Sequence, residues 1–226
     1  MRRLFLFAHP DDEIAVAAWM RREGALAWWA HHTPVRRDES LGVAERLGIE
    51  PVGFGDLPDG KMQETILDLA AQVDSVLRTA EPDEVVVPSF EHGHPDHDAL
   101  HAVVRLLWRG PLWEFPLYRP LAPGLAIQRY VAGEDQRMWL THEEVVDLKW
   151  DLTYCYPSQR IGKILRWHES FVPGAGTLRW ERFRLQAPLD YSVPQANAWV
   201  GSWLKATGRW GRWLRAWETA QDQISR

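Results

Sequence analysis

Cysteine is almost absent from this chain, with only Cys155 among 226 residues. That excludes an internal disulfide and makes a thiolate metal site implausible, so any metal has to be held by histidine and carboxylate. Long apolar runs are missing too. Met1, Arg2 and Arg3 lead into LFLFA, but this stretch is too short for a signal peptide and ends in charge rather than small residues, so the chain is expected to be cytoplasmic. Basic runs stop at short pairs such as Arg36 and Arg37. With 26 basic against 31 acidic residues the formal net charge is −5, which argues against nucleic acid as a partner. Neither an internal repeat nor a GxGxxG occurs, and no histidine is followed by the glutamate and second histidine of HExxH.

What is present is an ordinary globular composition, 46% hydrophobic and 25% charged, in a chain long enough for one well-cored domain. The expected organisation is a single domain over residues 1–226: a core over 1–110, completing strands and helices over 111–190, and a helical tail over 191–226. Fourteen tryptophans are many for this length, and they crowd toward the C-terminus. Trp199 and Trp203 are four apart, and Trp210, Trp213 and Trp217 fall at helical spacing, so each group shares one helix face. Core or subunit-interface packing is the first reading, with a homo-oligomer as its corollary; a sugar-stacking platform is the rival.

The first half alternates strand and helix. LFLFA opens as a buried strand. Residues 12–23 have acidic residues in the first turn and arginines in the last, with Gly24 as a stop, which reads as a helix. Residues 25–32 are apolar on both faces and read as a central strand. Helices are expected at 38–47, 62–80 and 98–108, a brief strand followed by a turn within 51–60, and a strand at 84–90. This alternation predicts an α/β fold, Rossmann-like, with a mostly parallel sheet flanked by helices. The second half adds a small β element from 112–118, 125–132 and 137–140, and a helix from His142 to Cys155 opened by a capping box of Thr141 and Glu144. A further helix from Pro157 and the Trp-rich tail helices complete it.

Chemistry concentrates where two of these strands end. LFLFAHPDDE places His9, Asp11, Asp12 and Glu13 at the mouth of the first strand, and bunched carboxylates repel and raise each other's pKa unless something positive meets them. A divalent metal would resolve that. EVVVPSF runs into EHGHPDHDALH, which offers His92, His94, Asp96 and His97 at a second strand end. Ligands of open α/β sheets bind outside the carboxyl ends of the strands. His9 and Asp12 are close enough to reach one ion while Asp11 between them stays free to react, and a histidine of the second loop completes a His-Asp-His set. Two histidines and one carboxylate with a fourth position for water make a catalytic zinc arrangement, which brings the pKa of water to about 7. Helix capping by any one aspartate is the bland alternative, weakened by the repetition of His-Pro-Asp. His97 and His101 form a rival HxxxH pair. Glu13 has no expected role beyond a favourable first helical turn, and His31, His32, His142 and His168 read as structural or surface residues.

The pairing of AHPDDE with HPDH some ninety residues on resembles the LmbE-like, or PIG-L, de-N-acetylase family. RRDESLGVAERLGI, DLPDG, KWDLTYCYPSQ and HESF resemble further family elements, so the similarity spans most of the chain up to about residue 190. The resemblance implies His9, Asp12 and His97 as ligands of zinc or another divalent metal such as Fe2+, Asp11 as general base, and His94 as oxyanion stabiliser or acid oriented by Asp96. It also implies Arg36 and Asp59 as sugar-binding residues. The implied activity is hydrolytic removal of the N-acetyl group from an N-acetylglucosamine-type sugar or its conjugate, with no nucleic acid and no membrane span. Tyr156 stands where many relatives carry histidine. Two other functions fit parts of the pattern: a non-haem iron enzyme using two histidines and a carboxylate, and a non-catalytic sugar-binding protein suggested by the tryptophans.

Overall fold

The computed structural model describes residues 1–121, 124–130, 136–139, 143–171, 177–195 and 198–224. In chain order its first half runs β1 (Arg3–Phe7), α1 (Ala17–Glu23), β2 (Leu26–Trp29), α2 (Pro34–Leu47), β3 (Glu50–Phe54), α3 (Ile66–Ala80), β4 (Glu84–Pro88), α4 (Pro95–Leu107) and β5 (Leu112–Phe115). The second half holds β6 (Tyr118–Leu121), β7 (Gly124–Ile127), β8 (Gln136–Trp139), α5 (Glu143–Tyr154), α6 (Ile161–Phe171), β9 (Trp180–Leu185), α7 (Ala198–Ala206) and α8 (Arg209–Ile224). The main sheet has the order β3-β2-β1-β4-β5-β9-β8. Its first five strands pair in parallel, while β9 pairs antiparallel with both β5 and β8. The expected α/β architecture with a mostly parallel sheet is therefore what forms, but of the three segments expected as a separate small β element the first and third supply β5 and β8 of the main sheet. Only the second supplies a strand, β7, of a separate antiparallel hairpin with β6.

Alternation of side chains along β1 divides the interior in two. Leu4 and Leu6 belong to a cluster with α3, α4 and α8, whereas Phe5 and Phe7 belong to one with α1, α2 and α5. All four are fully buried, as expected of a parallel strand covered on both faces. Three of the tail tryptophans resolve in favour of core packing, whereas Trp199 is exposed and Trp203 only partly buried. Trp210, Trp213 and Trp217 are buried against the α3–α4 side of the sheet, and Trp213 Nε1 donates to Tyr191 O at 2.8 Å.

Several helix starts differ from their expected places. Residues 12–16 form a 3-10 turn, and the α-helix begins only at Ala17. The reason is tertiary: buried Glu181 of β9 accepts from the amides of Ala18 and Trp19, both at 2.8 Å, and so caps the helix from another strand. Lys149 of α5 pairs with Glu181 at 2.8 Å and reaches Ala15 O at 3.3 Å. The second helix begins at Pro34 rather than residue 38, because Thr33 caps it through Arg36 N at 3.3 Å and proline suits a first helical turn. Likewise α4 begins at Pro95, not Asp98, with the His94 side chain accepting from Asp96 N at 3.2 Å. The capping box at Thr141 and His142 itself lie outside the described residues.

Candidate metal centre and active site

Strands β1 and β4 are neighbours at the centre of the sheet, where the strand order reverses direction. Their two C-terminal loops therefore face one crevice, the usual ligand site of an open parallel sheet. Seven of the eight expected site residues, all but the deeply buried Asp96, line one cavity of about 360 Å³ there. A larger cavity of about 1050 Å³ opens between α3 and α8, but none of the eight lines it. The smaller one is the candidate site because the chemistry is there.

His9, His94 and His97 converge, with one nitrogen of each within 4.8 Å of the others. Ring centroids of His9 lie 4.7 Å from His94 and 5.4 Å from His97. Asp12 reaches both loops: its Oδ2 accepts from the amides of Ala8 and His9 at 3.1 and 3.0 Å, and its Oδ1 lies 3.2 Å from His97 Nε2. His97 Nε2 is buried and makes no hydrogen bond among the described residues; its approach to Asp12 is close but misaligned. An unsatisfied buried nitrogen beside a carboxylate and two more imidazoles fits a divalent cation. The expected ligands His9 and His97 belong to that converging group together with His94, whereas the expected ligand Asp12 does not, although it lies 3.9 Å from His9 Nδ1 and 3.2 Å from His97 Nε2. A second group, His9, Asp59, His94 and Asp96, also meets the spacing a cation needs.

The electrostatics favour positive charge at this point. Burial pushes the His9 ring down, but the hydrogen bonds it donates to Asp59 and Asp96 and the charge of Asp12 outweigh that and raise its pKa to about 10. Burial raises Asp12, yet His97 and His9 bring it to about 2. A proton on His9 balances the surrounding carboxylates, and a metal held by this ring would require its loss. Asp11 is held well above the usual carboxylate range by burial first and by Asp12 next, with Arg36 opposing. Burial, then His9 and His97, lower His94 to about 4.

Asp96 sits elsewhere than in the expected geometry. Its carboxylate accepts from Gly60 N at 2.7 Å and Met62 N at 3.1 Å and lies 3.0 Å from His9 Nε2, against 3.9 Å from His94 Nδ1. It is the backbone N–H of Asp96 that orients His94. Arg36 is buried and largely committed: it donates to Pro10 O at 2.7 Å and to Asp59 at 3.3 Å, and lies 3.6 Å from Asp11 Oδ1. Asp59 is half-exposed at the mouth, held below its ordinary pKa chiefly by His9.

Glu13 is the residue that sequence reasoning missed. It is fully buried, accepts from Asp11 N at 2.9 Å and Trp29 Nε1 at 3.3 Å, and its other oxygen takes a hydrogen bond from the Tyr156 hydroxyl. Tyr156 in turn lies 3.0 Å from Ser40 Oγ. Asp11 has φ of 111°, a backbone conformation that L-residues other than glycine rarely adopt, and Glu13 is what grips its amide. The only available signal was three carboxylates in a row, one of them with nothing to do. Of the other histidines, His92 bonds Asp98 at 2.9 Å and accepts from Gln195 N at 2.9 Å, bracing the segment before α7. His101 gives its Nδ1 proton to Pro88 O at 2.8 Å, so the HxxxH pair does not form a site. His31 and His32 fasten the loop after β3 through Leu57 O and Gly55 O.

Residues 19–108 match the family model described as PIG-L, GlcNAc-PI de-N-acetylase. That span contains His94, Asp96 and His97 and begins after His9 and Asp12. None of the curated proteins matches the chain. Among solved structures, the zinc-inhibited form of a teicoplanin deacetylase superposes with a TM-score of 0.57 at 16% identity, covering 84% of this chain and 100% of that one. A conserved protein from Thermus thermophilus gives 0.57 at 20% identity, covering 88% and 100%. The N,N'-diacetylchitobiose deacetylase from Pyrococcus horikoshii gives 0.52 at 14%, covering 82% and 83%. At these identities the likeness is one of fold.

Proposed function

We propose that this chain, which carries the PIG-L sequence pattern over residues 19–108, is a zinc-dependent amide hydrolase that removes the acyl group from an N-acylated amino sugar or its conjugate. The observation that carries the reading is the convergence of both His-Pro-Asp loops on one cavity, with His97 Nε2 left unsatisfied beside Asp12. That two of the structural neighbours are deacetylases points the same way. No helix among the described residues is long and apolar enough to cross a membrane.

His9, Asp12 and His97 would hold the metal. Bound there, zinc would supply Lewis-acid polarisation of the amide carbonyl and make water acidic enough to ionise near neutral pH. Asp11 stands next to the ligands without being needed as one, and its elevated pKa suits a group that accepts a proton from water and gives it back to the departing amine. His94 has a narrower part. Its Nδ1 accepts from Asp96 N, so the neutral ring carries its proton on Nε2, and a pKa of about 4 keeps the ring neutral near pH 7. Such a ring donates a hydrogen bond to a developing oxyanion but has no second proton to lend the amine. Arg36 ties the Asp11 loop to Asp59, leaving the half-exposed Asp59 carboxylate for sugar hydroxyls.

The test is acetate release from a panel of N-acetylglucosaminyl compounds by the zinc-loaded protein. Turnover that disappears on chelation and returns with zinc supports the reading. Absence of release across the panel from protein shown to contain zinc favours a sugar-binding role, and iron content with oxygen consumption favours the oxygenase.

A further inference from the structure

The cavity has two unlike walls. One is the polar set already described. The other is aliphatic: Ile14 follows β1, Leu117 precedes the β6–β7 hairpin, Ile127 ends it, Ile161, Ile164 and Leu165 come from α6, and Leu178 comes from the turn before β9. Among the described residues no tryptophan lines this cavity, and Tyr118 is the only phenylalanine, tyrosine or tryptophan that does. Apart from the polar set and the Tyr118 hydroxyl, Gln128 and Gln159 are the only polar side chains that line it among the described residues. Ile164 is 52% exposed. A lone exposed isoleucine means nothing, but one continuous with six other isoleucine and leucine side chains in a concave wall marks a surface that a ligand covers.

An amide has two ends, and they differ chemically. With the scissile carbonyl at the histidine cluster, the amine end carries the sugar, whose hydroxyls suit Arg36, Asp59 and the glutamines. The acyl end points the other way. An acetyl group would bring a single methyl to a wall of seven isoleucine and leucine side chains. We propose, building on the hydrolase reading above, that this wall is an acyl subsite and that the preferred substrate is an amino sugar N-acylated with a medium-length fatty chain.

The experiment measures glucosamine release by the zinc-loaded protein from N-acetyl-, N-butanoyl- and N-hexanoylglucosamine, with the hexyl glycoside of N-acetylglucosamine as the comparison for an apolar aglycone. If the wall holds the chain, kcat/KM rises by about fourfold for each added methylene, equivalent to about 0.8 kcal/mol, until the wall is covered. In Ile164→Asp the hexanoyl-to-acetyl ratio collapses toward one. That ratio is taken within one preparation and is insensitive to the folded fraction. Flat or falling rates with chain length overturn the acyl subsite while leaving the hydrolase reading intact, as does an unchanged ratio in the variant. A gain confined to the hexyl glycoside assigns the wall to the aglycone and overturns the proposal. No release from any member sinks the hydrolase reading as well.

Discussion

Replacing Glu13 with glutamine should change how stability depends on pH. Burial raises the Glu13 carboxyl from 4.5 to about 7, against hydrogen bonds from Tyr156, Asp11 and Trp29 that favour its charged form. Between those two values the folded protein keeps a proton on Glu13 that the unfolded chain has released. The native state then binds more protons than the unfolded state, so stability is full below about pH 4.5, falls as pH rises and levels off above about 7. At 1.36 kcal/mol per unit the loss comes to about 3 kcal/mol. Glutamine keeps an oxygen for the Asp11 and Trp29 donors and an NH2 to face the Tyr156 oxygen, and it does not titrate. Urea unfolding of the metal-free wild type and Glu13→Gln at pH 4.5 and pH 8 gives a stability difference that shifts by about 3 kcal/mol in favour of the variant at the higher pH. His9, Asp11 and Asp12 also titrate, but they are common to both proteins and cancel to first order. A difference that stays constant from pH 4.5 to pH 8 refutes the assignment of Glu13 as a buried group with a raised pKa.

The remaining predictions concern the site and the tail. Asp11→Asn lowers turnover by about 100-fold or more while zinc content, read by elemental analysis, stays that of the wild type; near-normal turnover removes Asp11 from proton transfer. Trp213→Ala deletes a buried ring that contacts Phe90 and stacks on Trp217, with centroids 5.0 and 6.1 Å away, and destabilises by about 3 to 5 kcal/mol. In thermal unfolding that is a fall of roughly 10 °C for a chain of this size, and a change within about 2 °C contradicts the placement of the tail in the core.

Much of this site can be read from the chain because its information is local. A buried β1 ending in His9-Pro10-Asp11-Asp12 and a β4 ending shortly before His94-Pro95-Asp96-His97 are patterns of strand end and helix start, and the parallel α/β arrangement brings such ends together. Other features depend on partners far away in sequence. The late start of α1 follows from Glu181, more than 160 residues on. The carboxylate of Asp96 faces His9 because the Gly60 and Met62 amides hold it there. No periodicity encodes either contact.

The three consecutive carboxylates show the division most clearly. The sequence alone determined that Asp11, Asp12 and Glu13 would gather at one strand end, since β1 delivers them there whatever surrounds it. Only the tertiary structure decided what each does: Asp12 turns to His97, Asp11 takes a positive φ beside Arg36, and Glu13 is drawn inward by Tyr156 and Trp29. The physical reason is that a carboxylate's position in the chain fixes where it starts, whereas its charge state and direction are set by the donors and cations that folding brings within a few ångströms.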